Sequence, residues 1–182
     1  MLNKGNAVPI TAAVESLDLS GSETVADIGF GGGFGLGLLL DATRDGGHVH
    51  GVEPAADMLV RAGKIRRADV AAGRLELHEA SMDSLPFPTR ALDGWISVNT
   101  IYFVDDLAAA LREMARVLAP GGRGVVGIAD PDWMSRQPFT KHGFTLRPVT
   151  DVLAALESAG LTPEHHTLRD REPVFHLLAG GR

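Results

Sequence analysis

The sequence predicts a three-layer α/β domain: a doubly wound, mostly parallel sheet with one reversed strand at its C-terminal edge, sandwiched between helices. Three observations carry this. A short apolar run, Val25-Ala26-Asp27-Ile28, ends in a glycine-crowded stretch (Gly29, Gly31, Gly32, Gly33, Gly35), and an apolar helix-like segment follows from Leu36 to Ala42. Strand, glycine turn and helix in that order open a nucleotide-binding α/β unit. Strand-like and helix-like stretches then alternate, which favours parallel strands with crossover helices on both faces. Finally, two strand-like segments close the chain with only Asp170 to Pro173 between them, so they form a hairpin and one runs against the rest.

The totals agree with one domain over residues 1–182: 45% of residues are hydrophobic and 22% charged, ordinary values for a globular chain with a proper core. No apolar stretch reaches the roughly 20 residues needed to span a bilayer. The N-terminus lacks the basic and apolar regions of a signal peptide, so no membrane partner is expected. The absence of cysteine excludes disulfides, thiolate metal sites and cysteine nucleophiles, and suits a cytoplasmic location. A net charge of −6 without a basic stripe disfavours nucleic acid as partner; Lys64, Arg66 and Arg67 read as a solvated helix face.

Taken in order, Pro9 to Leu17 reads as a short helix with proline in its first turn, ended by Ser20-Gly21-Ser22. After the glycine loop and its helix, Asp45-Gly46-Gly47 forms a turn. His48 to Val52 is the second strand and ends on Glu53-Pro54. Ala55 to Ala72 has helical spacing through Met58, Leu59, Ala62 and Ile65, and Gly73 closes it. Leu75 and Leu77 alternate with polar residues as a third strand, and residues 81–89 form a proline-containing loop. Leu92 to Val98 is the fourth strand. Asp106 to Leu118 is a helix with Leu107, Leu111, Met114 and Leu118 on one face, stopped by Pro120-Gly121-Gly122. Val125 to Ile128 is the fifth strand. Residues 130–148 are the least regular. Thr150 to Ala159 is a helix with a threonine cap and a Gly160 stop. The closing strands fall at about His165 to Arg169 and Val174 to Leu178.

Ligands of such sheets bind outside the carboxyl ends of the strands. The first strand brings Asp27 and a loop spaced G-x-G-x-G at Gly29, Gly31 and Gly33, not the G-x-G-x-x-G of a phosphate-gripping dinucleotide loop. A tight turn without a ligand is the plainer alternative. The second strand brings Glu53, about 20 residues on, where a carboxylate can accept from both ribose hydroxyls. The third brings Ser81-Met82, either a backbone edge for adenine or a plain loop. The fourth brings Asn99, Thr100 and Tyr102.

In that arrangement the residues resemble the class I S-adenosylmethionine-dependent methyltransferases, notably the small bacterial "type 11" group, over about Val25 to Ile128. VADIGFGGG is similar to the family's first motif, GVEPAADML to the second, EASMDSLPF to the third and LDGWISVNTIYFVDD to the fourth. LREMARVLAPGGRGVVGI is similar to the helix and strand that follow. The resemblance implies S-adenosylmethionine as cofactor, released as S-adenosylhomocysteine. It implies cofactor contacts from Asp27, Gly29, Phe30, Gly31, Gly33, Glu53, Pro54, Met58, Ser81, Met82 and Asn99. Asp27 would orient the methionine ammonium, Glu53 would hold the ribose and Met58 would lie beside adenine. Ser81 and Met82 depart from the third motif, which usually carries Asp before a small residue.

The implied reaction is in-line methyl transfer to an oxygen, nitrogen or carbon of a small-molecule acceptor, needing alignment rather than a catalytic dyad. Tyr102 is either substrate wall and proton partner or a packing aromatic. His142 is either a general base or a solvated loop histidine. Residues 1–22 and 130–148 are the segments available to roof the site. Trp133, Met134, Phe139 and Phe144 make the latter a lid or substrate wall, with a homodimer contact as the rival reading. No metal site is expected: adjacent His165 and His166 point to opposite faces of a strand, and His48 and His50 share a face without a third ligand. The rival functions are a cofactor-binding subunit without catalysis and a nicotinamide-dependent oxidoreductase, which would need the other glycine spacing.

Overall fold

The computed structural model describes residues 2–44, 46–141, 143–170 and 172–182, residues 2–5 by backbone only. Among them, seven strands form one sheet in the order β3-β2-β1-β4-β5-β7-β6. These are β1 (Thr24–Ile28), β2 (His48–Glu53), β3 (Leu75–Glu79), β4 (Leu92–Val98), β5 (Leu118–Ala129), β6 (Thr162–Leu168) and β7 (Phe175–Gly181). β1 pairs in parallel with β2 and β4, whereas β7 is antiparallel to both β5 and β6. The expected α/β fold with a reversed last strand is what forms, and β6 lies outside that strand at the sheet margin.

Each sheet face has its own core. One is built around Trp95, Leu111, Met114, Val152 and Leu156, from β4 and from the helices α5 (Leu107–Val117) and α7 (Val149–Ser158). The other gathers Ala13, Leu36, Leu39 and Ala62, from α1 (Leu2–Glu15), α2 (Phe34–Ala42) and α3 (Ala56–Ile65). Burial of these apolar faces fixes strand register, because a one-residue slip would turn every strand inside out.

Several sequence expectations are corrected. Pro9 lies inside α1 rather than in its first turn, since the helix starts at Leu2. Packing of Ala13, Val14 and Leu17 into the core holds the helix across the missing N–H. The helix expected over 55–72 divides at Arg66, whose φ −103° and ψ 22° leave the helical range, into α3 and α4 (Arg67–Ala71); the break holds no glycine or proline. Leu118 is already extended, so Pro120-Gly121-Gly122 falls within β5, where the register against β4 shifts between Leu92 and Gly94. Pro148, not Thr150, precedes α7 as its cap residue. Residues 130–148 contain the short helix α6 (Pro131–Ser135), capped by Asp130 accepting from the Trp133 N–H at 2.8 Å, and a 3₁₀ turn at Pro138–Lys141. Among the described residues, no helix is long and apolar enough to cross a membrane.

Candidate active site

A cavity of about 690 Å³ opens at the carboxyl ends of β1, β2 and β4. Its volume lies within the usual range for small-molecule sites, about 300–1,000 Å³. The glycine loop forms one wall through Gly29, Phe30, Gly31, Gly32 and Phe34. The loop is stitched to β2 by the Gly29 N–H, which donates to the Val52 carbonyl at 2.7 Å. Gly29 has φ +77°, and a Cβ there would collide with the Thr100 side chain, so sterics and dihedral both demand glycine.

Glu53 ends β2 and is nearly buried, 9% exposed. Its Oε2 accepts from the Gly31 N–H at 2.9 Å and its Oε1 from the Ala55 N–H at 3.2 Å. Pro54, Ala55 and Met58 continue the wall beside it. Asp27 lies beneath the loop rather than on the cavity surface, close enough to α2 that a Cβ on Gly35 would strike its carboxylate. Burial first, and then the Glu53 carboxylate, push its pKa up to about 7.

Beyond β4, Asn99 adopts φ +58°, a region asparagine tolerates better than most side chains. Its Nδ2 donates to Asn6 Oδ1 at 3.1 Å, linking α1 to the cavity. The Tyr102 hydroxyl accepts from the Ala129 N–H at 2.8 Å and donates to Asn99 Oδ1 at 3.3 Å. Burial raises the pKa of this phenol well above its ordinary value. Phe144 packs against Tyr102, Phe103 and Phe139, with ring centroids 5.7, 4.7 and 5.8 Å apart. Together with Trp133 and Met134 these rings give the cavity an apolar second half. The 130–148 segment is anchored there: the Thr145 N–H donates to the Tyr102 carbonyl at 2.8 Å and Arg147 Nη1 to the Ile101 carbonyl at 2.7 Å.

Gly29, Phe30, Gly31, Glu53, Pro54, Met58, Asn99 and Tyr102 therefore meet around one cavity. Gly33, Ser81 and Met82 do not line it. Gly33 precedes α2 with φ +74°, Ser81 bonds Asp83, and Met82 is buried in the core. His142 lies outside the described residues. Asn6, Phe34 and Phe175 also line the cavity, brought there from α1, α2 and β7, and no local motif in the sequence marks them.

The profile described as "Methyltransferase domain" matches residues 26–126, more than half of the chain. The chain belongs to this family. It is a class I S-adenosylmethionine-dependent methyltransferase domain. It is 25% identical over 142 residues to the uncharacterized methyltransferase YdaC of Bacillus subtilis, covering 78% of this chain and 75% of that protein. It is 36% identical over 115 residues to the ubiquinone/menaquinone biosynthesis C-methyltransferase UbiE of Syntrophotalea carbinolica, covering 63% of this chain and 47% of that one. Among solved structures it superposes on the geranyl diphosphate C-methyltransferase from Streptomyces coelicolor with TM-score 0.82 at 18% identity, over 97% of this chain and 79% of that one. This methyltransferase domain spans 34%, 75% and 28% of the length of three curated relatives that it matches.

Proposed function

We propose that this domain holds S-adenosylmethionine across the glycine loop and Glu53, and transfers its methyl group to a small, largely apolar acceptor bound beneath residues 130–148. Glu53 carries the reading. A carboxylate has about four lone-pair sites, and two backbone N–H groups use only part of that capacity, leaving room for a pair of ribose hydroxyls. A 2′-phosphate would be repelled there. The loop fits the same ligand, because a Cβ built on Gly31 meets no protein atom within 4 Å and main chain can lie directly against it.

The cofactor supplies a sulfonium methyl that is already electrophilic. What remains for the chain is alignment and exclusion of water, effects that can together supply roughly 7–11 kcal/mol. Asp27, raised to about 7 by burial and by Glu53, lies beneath the loop, where an ammonium group at the cavity floor would favour its charged form and so favour an α-amino acid end over a neutral one. The Asn99 backbone borders the same end. Tyr102 serves as a wall rather than a proton shuttle, since its hydroxyl is committed to Ala129 and Asn99. The rings of Phe103, Phe139, Phe144 and Trp133 favour an apolar acceptor, with 130–148 as its cover.

Calorimetry with S-adenosylmethionine and with NAD tests the cofactor, and a methyl-transfer screen over apolar phenols, amines and carbon acids tests the acceptor class. Binding of the sulfonium cofactor alone, with turnover confined to apolar acceptors, is the expected result. Binding of NAD instead, or a preference for charged acceptors, would overturn the reading.

A further inference from the structure

Along β2, the parallel register sets His50 opposite Glu76 and Val52 opposite His78. Because alternate residues of a strand share a face, His48 and His50 on β2 meet Glu76 and His78 on β3. The sequence offered His48 and His50 no third ligand; the sheet brings one from the neighbouring strand. His48 Nε2, His50 Nδ1 and a Glu76 carboxylate oxygen all lie within 4.8 Å of one another. Among the described residues no other group of three or more His, Cys, Asp or Glu converges in this way. The Glu76 carboxylate is 4.0 Å from His48 Nε2, 3.8 Å from His50 Nδ1 and 4.0 Å from His78 Nε2, while the two inner imidazole nitrogens are 3.0 Å apart.

We propose that His48, His50, Glu76 and His78 form a binding site for a borderline divalent cation of the zinc type. Imidazole nitrogen and carboxylate oxygen are the donor set such ions take. Donors on a tetrahedral ion at about 2.0–2.1 Å stand roughly 3.4 Å apart, and the His48, His50 and Glu76 donors, all within 4.8 Å of one another, can close on one by side-chain movement, most easily from the exposed Glu76. Phe87 packs on both rings, with centroids 4.9 Å from His50 and 5.1 Å from His78, and supplies a dry backing. Strand alternation puts His48 and His50 on the face of β2 opposite Glu53, so the ion would staple the marginal strand β3 to β2 and take no part in methyl transfer.

The test is a Zn²⁺ titration of the chelator-treated full chain by calorimetry, paired with thermal melting. One ion per chain and a melting temperature that rises with Zn²⁺ are expected. Glu76→Gln, at an exposed position that leaves the core intact, should weaken binding about tenfold or more, and His50→Ala should do so at least as strongly. His165→Ala, in the separate histidine pair with His176 on β6 and β7, should leave Zn²⁺ affinity unchanged. An absence of Zn²⁺ binding, an affinity untouched by Glu76→Gln, or a loss confined to His165→Ala would each overturn the proposal.

Discussion

The Gly31 N–H donates to Glu53 Oε2 at 2.9 Å, so the glycine loop of the first crossover is tied to the carboxylate that ends the second strand. One contact thereby sets both the shape of the loop and the position of the acidic group. Glu53→Ala should weaken S-adenosylmethionine binding by about 2–4 kcal/mol, through lost ribose acceptance and a loosened loop. Glu53→Gln, which keeps one acceptor oxygen, should lose less. Calorimetric affinities measure both, and an Ala variant that binds like wild type would displace the ribose from this position.

Gly31 has φ +49° and open space where a Cβ would stand. Gly31→Val therefore strains the backbone by about 1–3 kcal/mol and projects two methyl groups into the cavity. Cofactor affinity should fall by roughly 3 kcal/mol, about a hundredfold, while the circular dichroism spectrum and a cooperative melt persist.

Asp27 yields a pH prediction. Its folded pKa of about 7 lies above the ordinary 3.8, so the native state holds a proton that the unfolded chain has already released between those values. The Asp27 contribution to stability is thus greatest at low pH and is lost as pH rises through 7. His50, depressed to about 4, acts oppositely: its contribution is present above about 6.5 and is lost as pH falls. Comparison with Asp27→Asn isolates the carboxyl. The variant's stability relative to wild type should rise by about 2 kcal/mol between pH 5 and pH 8, read by urea unfolding at each pH.

Tyr102→Phe removes the hydroxyl that accepts from the buried Ala129 N–H. Leaving that donor unpaired should cost about 1–3 kcal/mol in denaturant unfolding. Turnover at saturating acceptor should stay within about threefold, under 1 kcal/mol, if the ring is a wall. A loss of several orders of magnitude, together with loss of the basic limb of the pH–rate profile, would make Tyr102 the proton partner instead.

Much of this molecule is legible locally. Apolar runs such as Leu92 to Val98 and capped helices such as Leu107–Val117 behave as their composition and spacing dictate, since apolar pattern and terminal chemistry are properties of neighbouring residues. That Gly29, Gly31 and Glu53 would meet at one cavity was readable because strand ends and glycine turns occupy fixed places in an alternating sheet. Helix limits around Pro9 and Arg66 were not, because packing and local dihedrals override propensity there.

The sequence by itself determined the order of strands and helices, the reversed last strand and the acidic and glycine residues at the carboxyl ends of the first two strands, all from patterns spanning a few residues. Only the tertiary structure decided which distant side chains meet: Asn6 with Asn99, Phe103 with Phe144, and Glu76 with His48 and His50. The physical reason is that such meetings depend on strand register and on how helices settle against the sheet. Those are set by burial summed over both faces, which no short stretch of residues encodes.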